Sequence, residues 1–284
     1  MSQPHDLAPG LYLVATPIGN LEDMTLRAIR VLKQVDLIAC EDTRQTQKLL
    51  NHYSIENPTI SYHEHNEASR AAELIEKLAA GARIAVVSDA GTPGISDPGF
   101  RLVSLAIERG IAIIPIPGPA AFLTALVASG LPVESFVFRG FLPPKAGARK
   151  RELEKSCDSQ QTEVFYEAPH RIHETLEDVV GVLGAERHVV VAREITKIHE
   201  EFLRGTAAEV VGILKSRREV KGELVLLIGP VIAGGIPPGT VSLPARVQQL
   251  MRGEKLDEKA ALKKVAKELG ISKSEAYREW QQHK

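Results

Sequence analysis

The feature that most constrains this 284-residue chain is an alternation in its first half: short β-branched runs, each followed by a polar turn and then a helical pattern. Leu11–Ala15, Asp36–Cys40, Thr59–Tyr62, Arg83–Ser88 and Ala112–Ile116 read as strands. Thr25–Gln34, Thr43–His52, Glu67–Ala80 and Pro98–Arg109 read as helices between them. Parallel strands need a crossover of about a dozen residues, which a helix supplies. The rhythm therefore predicts an α/β fold with a mostly parallel sheet covered by helices. Pro98 suits a first helical position, and Gly81 and Gly110 suit helix ends.

A second α/β block follows. Its expected strands are Glu163–Tyr166, Val189–Ala192, Glu201–Arg204 and Glu223–Ile228, with helices near Arg149–Ser156, His170–Leu183 and Ala207–Arg217. The Pro- and Gly-bearing stretch 139–147 reads as a connector, and so does 231–243. The final stretch, 244–284, reads as helices alone, with the length and central Gly270 of a helix-turn-helix. The expected domains are thus 11–138, 148–230 and a small helical module at 244–284.

Composition narrows the function classes. The formal net charge is −1, so a polyanion must be held by local patches rather than by a global field. The two cysteines, Cys40 and Cys157, match no metal spacing and no disulfide framework, which points to the cytoplasm. The N-terminus has no apolar signal core, and no apolar run reaches the ~20 residues that span a bilayer. No membrane partner is expected.

The polar motifs fall at informative places. TPIGN, EDTR, HEHNE, DAGTP, PGPAA, EAPHR and REITK each follow the end of an expected strand. Ligands of open parallel sheets bind outside the carboxyl ends of strands. Turn chemistry alone accounts for the glycines and prolines there. It does not account for Glu41, Arg44, His63, His65, Glu167 and Arg171. These loops predict one large cleft fed by both domains. G-x-G-x-x-G is missing after the first strand and the Walker pattern is missing throughout, which argues against common dinucleotide and NTP sites. His63-x-His65 lacks a clear third ligand, so a hydrogen-bonding loop is expected there and no metal.

Taken together, TPIGN, EDTR with Thr46 and Leu49–Leu50, HxHNE, SDAGTPxISDPG (from Ser88 to Gly99), PGP, GFLPxK, FYExPHR, ARExTK and KGE stand in order from about Leu11 to Ile228. This series resembles the RsmI branch of the tetrapyrrole-methylase-like superfamily, the class III methyltransferases. The resemblance implies two α/β domains with S-adenosylmethionine (SAM) folded between them. It implies 2′-O-methylation of the ribose of a cytidine near the decoding centre of 16S rRNA, free or within the assembled small subunit, by a homodimer. Superfamily members acting on porphyrin-like rings carry a GxGxG first loop, whereas TPIGN has one glycine. A tetrapyrrole or other small-molecule methyltransferase is therefore the second reading. A DNA-binding regulator, suggested by the helix-turn-helix alone, is a third.

By the same resemblance, Pro17 and the loop Ser88, Asp89, Ala90, Gly91, Thr92 and Ile95 are cofactor candidates. Small residues there let backbone groups approach a ligand closely. Pro117, Gly118, Pro119, Ala120 and Ala121 open a helix whose free N–H groups suit a carboxylate. Tyr166, Glu167, Glu194 and Thr196 are expected from the second domain, with Gly222 and Glu223 near the adenosine. For catalysis, the candidates are Glu41, Asp42, Arg44, Glu167 and Arg171. A carboxylate would take the hydroxyl proton and the cations would hold phosphates. Each is also a plausible structural ion pair. RNA-binding candidates come from two basic stretches: Lys145, Arg149, Lys150 and Arg151, and then Lys263, Lys264 and Lys267 on a helix expected to include Lys255 and Lys259. Such runs are also what a solvated helix face looks like.

Overall fold

The computed structural model describes residues 6–231, 243–253, 256–268 and 272–282. They pack as two compact units. The first runs to Thr124 and takes in Glu194–His199; the second holds the remainder.

The first unit carries β1 (Gly10–Val14), β2 (Leu37–Cys40), β3 (Thr59–Ser61), β4 (Arg83–Val87) and β5 (Ile113–Ile116) in the order β3-β2-β4-β1-β5. Every pairing is parallel, so all five carboxyl ends share one edge. Between the strands lie α1 (Leu26–Gln34), α2 (Thr43–His52), α3 (Glu67–Ala79) and α4 (Phe100–Glu108). The period-2 alternation of the strands divides the core. Tyr12, Val14, Ile38, Cys40, Ala85 and Val87 face α1 and α2, where Ala28, Val31, Leu32 and Leu50 are buried. Leu11, Ala39, Ile84 and Val86 face α3 and α4 on the opposite side, against Leu74, Leu78 and Leu102. The helices after β1 and β2 thus lie on one face and the helix after β4 on the other. The loop leaving β4 consequently sits at a topological switch point, the position where open α/β sheets bind ligands.

Helix starts follow local chemistry. Thr25 caps α1 by accepting from Ala28 N at 3.1 Å, and Asp42 caps α2 by accepting from Arg44 N at 2.8 Å. The expected start of α4 at Pro98 is displaced. Gly99, at φ +148°, is the N-cap, and that conformation stops the helix from extending back through it. Gly81 and Gly110 end α3 and α4 at φ +94° and +65°.

The second unit carries β6 (Phe136–Phe141), β7 (Thr162–Glu167), β8 (His188–Arg193), β9 (Glu201–Thr206) and β10 (Leu224–Ile228), ordered β6-β7-β10-β8-β9. Only the β6–β7 pair is parallel. β10 is buried throughout and runs against both its neighbours. The ends of β7 and β8 therefore lie at the same edge as the start of β10, where Leu224 pairs with both Glu167 and Arg193. α5 (Ala121–Ser129) leads into this unit, and α6 (Ala146–Glu154), α7 (Ile172–Leu183) and α8 (Ala207–Lys215) follow. Thr206 and Glu209 close a capping box on α8.

Residues 139–147 do not form the expected connector. Arg139–Phe141 complete β6, and Ala146 and Gly147 open α6. Arg139 is fixed in the strand by Glu163, at 2.9 and 3.0 Å. The expected connector 231–243 lies almost wholly outside the described residues.

Three helices close the chain: α9 (Leu243–Gly253), α10 (Glu258–Glu268) and α11 (Lys273–Gln282). They share a core of their own built on Val247, Leu250, Val265, Ala276 and Trp280. The helix-turn-helix expectation thus gains a preceding helix. Asp257 caps α10 by accepting from Ala260 N, so the helix begins after Lys255. Lys255 and Gly270 lie outside the described residues. No helix among the described residues is long and apolar enough to cross a membrane.

Candidate active site

At the carboxyl edge of the first sheet, three loops are fastened together. Thr16 and Gly91 exchange backbone hydrogen bonds of 2.8 and 3.0 Å. The Thr16 hydroxyl donates to Ser88 O at 3.1 Å, and Thr92 Oγ1 donates to Pro119 O at 3.2 Å. The Ser88 hydroxyl turns inward to Ala90 O at 3.1 Å. Pro17 and Gly91 are buried in this framework, whereas Asp89, Ala90, Ile95, Pro117 and Gly118 are exposed along it. Gly91 has φ +82°, which other residues adopt with strain. A Cβ on Gly118 would stand 2.9 Å from the Ala15 Cβ. Two loops therefore run close together only because the residues between them are small. Ala120 and Ala121 complete the turn into α5.

Beside this cradle lies an acidic corner. Asp42 caps α2, and the Arg44 guanidinium closes onto both its oxygens at 3.2 and 2.9 Å. That partner holds the Asp42 carboxyl at about 2. The Asp42 N–H donates to Asp89 Oδ1 at 3.1 Å. Glu41 is pushed above the usual carboxylate range, first by burial and then by the charge of Asp89. Asp97 is pushed up to about 6, again first by burial and then by Glu41. Asp97 was not among the expected site residues. In the SDPG run it reads as an ordinary turn residue.

A raised carboxyl lowers stability once it ionises. Below about 3, Asp97 is protonated in the folded and unfolded chain alike and contributes nothing. As pH rises through the ordinary range toward 6, only the unfolded chain releases its proton freely, and stability falls. Asp97→Asn is therefore expected to melt higher than the parent at pH 8 and at the same temperature near pH 3. Thermal denaturation at the two pH values checks this; an equal shift at both would show that charge is not the cause.

Glu194 and Thr196 were expected from the second domain. They instead belong to the segment Glu194–His199 that packs with the first unit. Both hold positive φ, +52° and +66°, so the segment is a strained turn held by its contacts. Thr196 Oγ1 accepts from Asn20 N at 3.2 Å, and Lys197 pairs with Glu194 at 2.9 Å. A Cβ on Gly19 would meet the Lys197 chain at 2.4 Å, so the TPIGN glycine is what lets this lysine cross.

At the corresponding edge of the second unit, Glu167 is wholly committed. It accepts from Arg171 Nη2 at 2.5 Å, from Ala168 N at 2.7 Å and from Thr175 Oγ1 at 2.6 Å, and its side chain is fully buried. Expected as catalytic groups, buried Glu167 and half-buried Arg171 form an ion pair that secures the turn from β7 to α7. Tyr166 packs against Phe138 and Phe141 at ring distances of 5.0 and 5.5 Å. Gly222, at φ +94°, and exposed Glu223 precede β10 at that edge.

Among the RNA-binding candidates, Arg149 is corrected. Its side chain is 1% exposed and pairs with Asp178 at 2.7 Å, which fastens α6 to α7. Lys145 and Arg151 are exposed; Lys150 is exposed but has Asp178 at 3.4 Å. Lys263 and Lys264 are exposed on α10, and the side chain of Lys267 lies outside the described residues. Around His63 the arrangement is a hydrogen-bonded loop: its N–H donates to Asn66 Oδ1 at 2.9 Å, and the ring Nε2 lies 3.2 Å from Asn66 Nδ2. No cluster of three metal-ligating side chains occurs among the described residues.

Residues 10–211 match the family model described as tetrapyrrole (corrin/porphyrin) methylases. This chain belongs to the tetrapyrrole methylase family. Within that family, a ribosomal RNA small subunit methyltransferase I from Halalkalibacterium halodurans is 55% identical over 226 residues, covering 80% of this chain and 78% of that one. The enzyme of the same name from Mesorhizobium japonicum is 45% identical over 272 residues, covering 96% and 91%. A solved tetrapyrrole methylase, uroporphyrin-III C-methyltransferase from Thermus thermophilus complexed with S-adenosyl homocysteine, matches at TM-score 0.54 and 19% identity. It covers 78% of this chain and 97% of its own, and at that identity it bears on the fold alone.

Proposed function

We propose that this methylase uses SAM to methylate the ribose 2′-hydroxyl of a cytidine in small-subunit rRNA. The observation that carries the reading is the relatives bearing that rRNA name at 43–55% identity over most of the chain. The second reading, a tetrapyrrole substrate, is not favoured: its solved representatives share 14–19% identity with this chain.

The first unit suits SAM. Its loops bring backbone carbonyls and N–H groups together around Gly91 and Gly118, where a single added methyl finds no room beside Ala15. The N–H groups opening α5 lack helical partners and suit the donor's carboxylate. When bound, SAM supplies a methyl already activated on a sulfonium. The protein's own task is to align the hydroxyl oxygen and to receive its proton. Asp97, with an affinity near neutral, suits the proton. Asp42, kept ionised by Arg44, suits positioning, with Arg44 turned 88% to solvent toward a phosphate. The chain works in the cytoplasm as a homodimer, on rRNA free or within the assembled small subunit.

Mapping ribose methylation on rRNA from cells lacking the protein tests the assignment. One 2′-O-methylcytidine of the small subunit is expected to disappear, and an unchanged map would sink the reading. In vitro, Asp42→Asn and Arg44→Ala are each expected to slow methyl transfer about ten-fold or more at saturating SAM. Wild-type rates in both would remove the pair from the site.

A further inference from the structure

The first unit has a second concave feature, on the outer side of α2. A depression of about 450 Å³ is lined by Thr43, Arg44, Gln47, Lys48, Asn51 and Thr59. The four residues from α2's exposed side, at positions 44, 47, 48 and 51, follow helical spacing and form one stripe. The stripe begins at Arg44, beside the acidic corner, and leads away from it along the helix.

Its charge pattern is unlike the rest of the unit. α1 and α2 share one face of the sheet and carry Arg27, Arg30, Lys33, Arg44 and Lys48, with no Asp or Glu in either helix. The nearby acids lie outside these two helices: Glu22, Asp23, Asp36, Glu41, Asp42 and Glu56, with Asp89 accepting from the Asp42 N–H; Asp36 is taken by Arg83 and Asp42 by Arg44. On the opposite face, the cations other than Arg101 are paired. Arg70 and Lys77 pair with Glu73, and Arg109 pairs with Glu76. Lys48 has a neutral partner, Gln45 Oε1 at 2.8 Å, and no acid in ion-pair contact among the described residues. Gln47 donates to Asn51 Oδ1 at 2.8 Å, which leaves the Gln47 carbonyl and the Asn51 amide hydrogens to face a ligand.

The Lys48 ammonium, amides and hydroxyls in a groove whose lining holds no acid, with Arg44 bound to Asp42 at its head, fit a phosphodiester strand bearing 2′-hydroxyls. Cations neutralise phosphate, and amides bond to base edges or to ribose. We propose that the α2 groove holds the RNA strand flanking the target ribose, with Lys48, Gln47 and Asn51 as its contacts. The inference rests on the rRNA reading above and extends the substrate path beyond Arg44.

Lys48→Glu tests it against Lys77→Glu, an equal charge reversal on the opposite face. The probes are an in vitro transcript of small-subunit rRNA and, separately, small subunits purified from cells lacking the protein. Lys48→Glu is expected to weaken binding about ten-fold and to raise KM for RNA with kcat held. It should also reduce the magnitude of the salt slope of log K by about 0.7–0.9, one phosphate's worth. SAM affinity and melting temperature should stay at parental values, and Lys77→Glu should bind as the parent does. Unchanged affinity and slope in Lys48→Glu, or an equal loss in Lys77→Glu, overturns the groove. A parent chain that methylates rRNA while Lys48→Glu behaves identically defeats only this inference. A parent that methylates neither probe defeats the functional reading as well.

Discussion

Gly118→Val is expected to lower SAM affinity about a hundred-fold or more, and Gly118→Ala about ten-fold, in chains that still fold. The case rests on one contact. A Cβ at position 118 would lie 2.9 Å from the Ala15 Cβ and 3.5 Å from its carbonyl oxygen. Ala15 is 2% exposed at the end of β1, held from behind by a packed core, and cannot retreat. The turn 117–121 must move instead, since Gly118 itself is exposed. That movement draws Pro119 O from the Thr92 hydroxyl, a 3.2 Å bond joining the two loops. It also redirects the N–H groups that open α5. Overpacking of this kind costs about 1–3 kcal/mol, paid in local geometry rather than in global unfolding. Titration calorimetry with SAM reads the affinity, and thermal melting shows whether the fold is intact. A folded Gly118→Val chain that binds SAM at the parental affinity would show that the cradle beside Ala15 is not where the donor sits.

The first unit was legible in the sequence to within a residue or two per element because its signals are local. Strands such as Arg83–Val87 alternate between two buried faces, and α2 spans the expected Thr43–His52 unaltered. The cradle was legible for the same reason: small residues mark close backbone approach. What escaped depends on contacts distant in sequence. The strand Phe136–Phe141 was hidden by Gly140 and the prolines after it, and it forms because β7 offers a parallel partner. Glu194 and Thr196 follow β8 in sequence yet pack with the first unit, through a bond to Asn20 that no local pattern announces. Asp97 looked like a turn residue; only burial beside Glu41 sets it apart. Arg149 stood in a run of cations, and nothing in ARKRELE marks which of them turns inward.

That inward turn leads to the largest stability effect expected outside the cradle. Arg149→Met is expected to destabilise the chain by about 2–4 kcal/mol in urea unfolding, toward the lower part of the cost of breaking a buried ion pair. Arg149 donates to Asp178 Oδ2 at 2.7 Å, to Pro144 O at 3.3 Å and to Glu174 at 3.4 Å. Glu174 is 70% exposed and recovers water when the arginine is gone. Asp178 is 11% exposed and does not. Lys150, 3.4 Å from the other Asp178 oxygen, softens the loss without replacing the lost bond. The penalty therefore belongs mainly to a stranded carboxylate, and removing the stranded charge should return much of it. Arg149→Met combined with Asp178→Leu is expected to be more stable than Arg149→Met alone, because apolar groups of similar volume often replace a buried pair at little cost. A double-mutant cycle isolates the coupling, expected at 1 kcal/mol or more. RNA affinity of the folded double variant should match the parent, since a side chain 1% exposed touches no phosphate. If the two substitutions simply add, or if the folded variant loses RNA, Arg149 has a role at the surface that its burial denies.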